Sequence, residues 1–167
     1  MGYAAPIVVG LDGSTASARA LRWAASRSHE TATPLVAVHA YAADLRLSSR
    51  QGSKLAQEGH ERVQATGWVR DALADCAALP WRTHLVVIEG APASVLTAQA
   101  RDAEMLVLGS SHSSSSCRAS AECLRTRCEA MATCPVVVVP MAGAPGPSTV
   151  AGEHAKGAPS PDEAVNA

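Results

Sequence analysis

THLVVIEGAPASVLTAQARDAEMLVLG, Thr83 to Gly109, is a whole strand–helix–strand unit. THLVVIE is short, β-branched and apolar, which reads as a buried strand. Gly90-Ala91-Pro92 turns the chain, and the spacing predicts a short helix from Ser94 to Arg101. EMLVLG, Glu104 to Gly109, is the next strand. Two strands that are apolar on both faces and joined through a helix are predicted to lie parallel, covered on both sides.

The same alternation extends outward. PIVVGL, Pro6 to Leu11, reads as a strand closed by Asp12-Gly13-Ser14. A helix follows through STASARALRWAASRSH, with Ser14 or Ser17 as its N-cap, and the TATP segment breaks it. Leu35 to Tyr41 reads as a strand. A long helix is predicted from about Gln51 to Leu79, with Leu55, Gly59, Val63, Val69, Leu73 and Cys76 along one stripe; Gly59 and Gly67 weaken it and Pro80 ends it. After Gly109 comes a serine-rich loop, then a helix from about Ala121 to Ala132, and a last strand in CPVVVVP, Cys134 to Pro140. The expected fold is a doubly wound, five-stranded parallel sheet with helices on both faces. Ligands in such sheets bind at the carboxyl ends of strands where the winding reverses, which singles out the loops after Leu11 and after Leu108.

One domain is expected over residues 1–141. Residues 142–167 are rich in Gly, Ala and Pro without apolar periodicity and read as a disordered tail. A net charge of -1 offers no electrostatic attraction to nucleic acid or to an anionic membrane. No apolar run reaches membrane-spanning length, and the amino terminus shows no charged region of a secretory signal. A cytoplasmic location is the expectation. The five cysteines, with no CxxC pair, fit reduced thiols.

Three blocks in this order resemble the universal stress protein family: IVVGLDGSTASARALRWA, IEGAPASVLTAQARDAEMLVLGS and CPVVVVP. The resemblance covers about residues 5 to 140. It implies an architecture of the adenine nucleotide α-hydrolase-like or flavodoxin-like kind, and a homodimer built through the last strand, here Val136, Val137, Val138 and Val139. An exposed apolar strand edge of that kind is normally paired or covered. It also implies a candidate nucleotide site. Asp12 matches the acidic residue that contacts the nucleoside, and Ala40 matches the strand position whose backbone meets the adenine.

The family's ATP motif runs Gly, two residues, Gly, nine residues, Gly, then Ser or Thr. Counted from Gly109, those positions hold Gly109, His112, Glu122 and Cys123, so one of four survives. Glycines in a phosphate loop permit positive φ and let backbone N–H groups approach the anion. His112 and Glu122 add a Cβ and bulk. Two like charges about 4 Å apart repel by about 4 kcal/mol at an effective dielectric near 20, so Glu122 also opposes a phosphate. If Ser120 caps the following helix, Glu122 falls in its first turn and satisfies the positive helix end itself, as an internal plug of the anion site. The other reading is an ordinary exposed first-turn glutamate. Ser110, Ser111, Ser113 to Ser116 and Ser120, with Arg118, supply donors for a weaker or different anion, or simply suit turn geometry.

Cys117, Cys123, Cys128 and His112 lack zinc-site spacing, and no metal is expected. Cys123 near a helix start is a candidate redox thiol, opposed by the Glu122 charge. The strained elbow of a serine hydrolase is absent, and His39 and His84 lie on strands as core or sheet-end histidines. A phosphoacceptor reading fails because Glu89 ends the third strand and Pro140-Met141 follow the fifth. No catalytic residue is assigned. The resemblance and its degraded motif imply a non-catalytic stress-response protein that acts through an unidentified protein partner, with impaired or absent ATP binding and no cofactor. The alternative is an adenine-nucleotide sensor using Asp12 and the serine loop.

Overall fold

The computed structural model describes residues 4–43, 51–74, 76, 83–110, 124–141 and 148–150. Within them the chain forms β1 (Ile7–Leu11), α1 (Thr15–Thr31), β2 (Leu35–Tyr41), α2 (Gln51–Leu73), β3 (Thr83–Glu89), α3 (Pro92–Gln99), β4 (Met105–Gly109), α4 (Leu124–Met131), β5 (Val136–Val139) and β6 (Ser148–Val150). The sheet order is β3-β2-β1-β4-β5-β6. The first five strands are parallel, as expected, and β1 and β4 are neighbours. Of the two strand orders that doubly wound sheets commonly take, this is the one with three strands on one side of the reversal, not the 2-1-3-4-5 order of flavodoxin. The reversal therefore falls between β1 and β4, and the two loops singled out above leave adjacent strands.

Strand alternation divides the core into two layers. Ile7, Val9 and Leu11 of β1 pack with Ala20, Leu21 and Ala24 of α1 and with Val69 and Leu73 of α2. Val8, Val38 and Leu106 point to the other face, against Ala93 and Leu96 of α3 and Cys128 of α4. Helices cover both faces because each strand carries apolar side chains in both directions.

Local sequence explains most element ends. Ser14 caps α1: its hydroxyl accepts from Ser17 N at 3.1 Å. The helix runs to Thr31 and ends in Ala32 with φ 53, the one non-glycine residue at positive φ among those described. Its N–H bonds back to the carbonyls of the last turn, which satisfies groups that would otherwise be orphaned. Helix α3 begins at Pro92, two residues before the predicted start, because proline's fixed φ and absent N–H suit a first helical position.

The stripe predicted on α2 needs correction. Val69 and Leu73 are buried, but Leu55 and Val63 are each 73% exposed, and the buried partners are Ala65 and Ala72. The cause is length. A helix of 23 residues spans about 34 Å, whereas the seven-residue strands beside it span about 23 Å. The first half of α2 overhangs the sheet and has no core to face. It is tied down by polar contacts, Gln57 Nε2 to the Ala42 carbonyl at 2.9 Å and Lys54 to Glu89 at 3.7 Å. The helix also ends at Leu73 rather than near Leu79.

A second correction concerns the carboxyl-terminal segment. Residues 148–150, within the stretch read as a disordered tail, form β6 and pair antiparallel with β5. Thr149 and Val150 are β-branched residues suited to a strand, but three residues show no periodicity that a composition-based reading can register. Strand β6 occupies the outer edge of β5, the edge expected for pairing between copies.

Candidate functional site

Asp12 sits in the turn between β1 and α1, at the carboxyl end of the sheet. Its side chain is turned onto its own loop, where Oδ1 accepts from Ser14 N at 2.9 Å. Ser17 completes the knot. Its hydroxyl donates to the Ser14 carbonyl at 3.0 Å and accepts a long contact from Asp12 N at 3.5 Å. Burial pushes the Asp12 carboxyl up from its ordinary 3.8, but bonds from the Ser14 side chain and backbone, from Ser17 and from its own backbone outweigh that and hold it low. A carboxylate that accepts several N–H and O–H groups stays ionised.

The turn is clamped from α2. Gly13 has φ +78, and a Cβ built on it would lie 2.6 Å from the Trp68 ring. Only glycine satisfies both the backbone conformation and the indole. The Trp68 ring meets His39 edge-on, with centroids 5.0 Å apart, and His39 stacks on Tyr41 at 6.5 Å. His39 is buried and bridges two elements: Nδ1 lies 3.0 Å from the Leu11 carbonyl and Nε2 lies 3.1 Å from Glu61 Oε2. A carbonyl only accepts, so Nδ1 carries a proton and donates. The Nε2 contact is a hydrogen bond when one proton is shared between imidazole and carboxylate. The core-histidine reading of His39 thus holds, whereas His84 is exposed. Around the same ring cluster, burial pushes the Tyr41 phenol up, reinforced by the Glu58, Glu89 and Glu61 carboxylates and opposed by Arg62. Tyr41 stays neutral.

Ala40 lies one residue beyond the last β1–β2 pair, Leu11 with His39, and still pairs with Ile88 of β3. Its flank on the β1 side therefore faces the Asp12 turn. Asp12 and Ala40 are marked in the sequence, whereas Glu61 and Trp68 are not. Helix periodicity pointed to Val69, and nothing local marks its neighbour as the residue that reaches the turn.

Gly109 ends β4. Its place has a packing reason: an added Cβ would fall 2.3 Å from the Ala16 carbonyl oxygen and 2.8 Å from Ser17 N, in the first turn of α1. Helix α1 could not approach the β4 end if any side chain stood there. The next residue, Ser110, donates its N–H to the Val139 carbonyl at 2.9 Å. His112, Ser113, Glu122 and Cys123 lie outside the described residues, as do Cys117 and the other loop serines.

Among the described residues, no three His, Cys, Asp or Glu side chains converge on a metal position. Cys128 and Cys134 are buried and form no disulfide, and Cys76 is partly buried. Burial pushes the Cys134 thiol up, against smaller opposing bonds from its own backbone and that of Leu106, so it is a poor nucleophile. No helix among the described residues is long and apolar enough to cross a membrane. A cavity of about 650 Å³ lies between α1 and the amino ends of β4 and β5, lined by Trp23, Arg27, Glu104, Met105 and Pro135 among others. It is at the opposite end of the sheet from Asp12 and Gly109.

Residues 5–140 match the model of the universal stress protein family. A comparison with curated proteins returned no match. Among solved structures, a universal stress family protein from Burkholderia pseudomallei is 26% identical, with a TM-score of 0.56 over 84% of this chain and 99% of that one. The universal stress protein UspA from Lactobacillus plantarum is 20% identical, with a TM-score of 0.62 over 83% and 98%. The universal stress protein from Archaeoglobus fulgidus, solved in complex with dAMP, is 21% identical, with a TM-score of 0.53 over 82% and 98%.

Proposed function

The chain belongs to the universal stress protein family, and on that premise we propose that it is a non-catalytic stress-response protein with impaired or absent ATP binding. It acts through contacts with another protein, in the cytoplasm, and the outer edge of β5 is the surface through which two copies associate once β6 leaves it. The observation that carries the loss of ATP binding is the contact at Gly109. This is the one glycine of the motif that remains, and the Ala16 carbonyl 2.3 Å from its would-be Cβ requires it whether or not a phosphate is present. Its retention therefore says nothing for a nucleotide. The other three motif positions hold His112, Glu122 and Cys123, none of which supplies the conformational freedom or the small hydroxyl the motif uses.

A second reading, an adenine-nucleotide sensor, is supported by the nucleoside half of the rim. Asp12 is ionised, Ala40 flanks it, and a relative of the same fold was solved with dAMP. One experiment separates the two. Purified protein is denatured and the supernatant assayed for adenine nucleotide, with Mg-ATP titrated calorimetrically into native protein. We expect no stoichiometric nucleotide and no heat of binding at micromolar ATP. Release of one AMP or ATP per chain would replace the first reading with the second. In the full chain, His112→Gly with Glu122→Gly and Cys123→Ser is expected to tighten ATP binding by at least about tenfold, or about 1.4 kcal/mol.

A further inference from the structure

Strand β5 is the last parallel strand, hydrogen-bonded on one side to β4 through Leu106 with Val136, Val107 with Val137, Leu108 with Val138 and Gly109 with Val139. On the other side it meets β6, with Val136 opposite Val150, Val137 opposite Thr149 and Val138 opposite Ser148. Three of its four residues are thus paired on both sides by this chain alone. Without β6, an apolar run of valines would present a row of free N–H and C=O groups, which is a template for another strand.

The geometry of that template is specific. Two identical strands that pair about a twofold axis run antiparallel. A second copy of β5 would therefore approach the first in the same sense as β6 does and use the same backbone groups. Pairing with β6 and pairing with another β5 exclude one another. The competitor is also weakly held. β6 has three residues, and eight residues separate Val139 from Ser148, among them Pro140, Gly143, Pro145, Gly146 and Pro147. A three-residue strand at the end of a connection of that length has few bonds to offset the closure entropy, and such elements open first.

We propose that β6 is a removable cap on the dimer edge: seated, it keeps the chain a monomer, and withdrawn, it lets two copies join β5 to β5. This rests on the reading that copies associate through β5. The partner is a second copy of this chain, and the control element is its own residues 148–150.

The test compares the full chain with a full-length Thr149→Pro/Val150→Pro variant by sedimentation velocity across a micromolar concentration series. Adjacent strand residues direct their N–H groups to opposite sides, so one of the two prolines removes a donor toward β5 whichever way β6 is set. Far-ultraviolet circular dichroism verifies that the variant is folded, and a Ser148→Gly/Thr149→Gly/Val150→Gly variant replaces it otherwise. We expect a monomeric wild type and a variant whose dimer is tighter by at least about tenfold. Equal dimer constants in the two proteins would overturn the cap and leave the β5 pairing intact. Monomers throughout would overturn the pairing itself. A wild-type dimer that the prolines dissolve would also overturn the cap, since β6 would then be joining copies rather than separating them.

Discussion

The carboxyl rim of the sheet has two halves, built differently. At the end of β1, one turn is held from several elements: Ser14 N bonds it from the α1 cap, the Ser17 hydroxyl from within α1 and His39 from β2 with Glu61 of α2 behind it, and Trp68 of α2 packs on Gly13. At the end of β4, the described contacts are backbone ones, Gly109 against Ala16 and Ser110 N to the Val139 carbonyl. The first half is a built, partly charged surface around Asp12. The second is a close approach of helix to strand that tolerates no side chain. Among the described residues, the hydrogen-bonded polar side chains of this rim belong to the first half.

Gly109→Ala has the largest expected effect. A Cβ 2.3 Å from the Ala16 carbonyl must push α1 from the sheet, and a loss of about 3 kcal/mol in urea unfolding is expected, at the upper end for overpacking. Gly59→Ala is its control. Nothing lies within 4 Å of a Cβ there, and removing a mid-helix glycine is expected to gain about 0.5–1 kcal/mol. If both alanines behave alike, the contact is not what keeps Gly109.

His39→Leu attacks the other half. It leaves the Leu11 carbonyl and the Glu61 carboxylate without their partner, and a cost of about 2 kcal/mol is expected, with the Trp68 fluorescence maximum shifting to the red as the ring loses its packing. An unchanged midpoint would mean that Glu61 finds water without cost. Ser14→Ala removes the α1 cap and is expected to cost about 1 kcal/mol, measured the same way.

The smallest effect is on pH. The Asp12 carboxyl is held below its unfolded 3.8, so its ionised form favours the folded state. That contribution is complete above the unfolded value and disappears as pH falls through the lower folded value. Asp12→Asn is expected to flatten stability against pH in that acid window and to leave the neutral region unchanged. A slope that persists in the variant would assign it to other carboxylates.

How much of this was legible depended on range. The five parallel strands, the Ser14 cap and the placing of Asp12 and Gly109 at the reversal follow from local signals: apolar runs, a hydroxyl before a helix, and the rule that parallel strands cross over one way. The α2 stripe was misread because periodicity marks a face of a helix but not how far the sheet extends beneath it. Leu55 and Val63 have the right spacing and no core to meet. Trp68 and Glu61 carry no local mark either, since their partners Gly13 and His39 are more than 20 residues away along the chain.

Local pattern sets the winding and the residues that stand at the four motif positions. Strand and helix periods act within a few residues, and a motif is a matter of spacing. Why Gly109 is a glycine, what clamps the Asp12 turn and what covers the β5 edge emerge only from packing. Each of these is a contact between segments distant in sequence, and its sign depends on ångström-scale separations that no local pattern encodes.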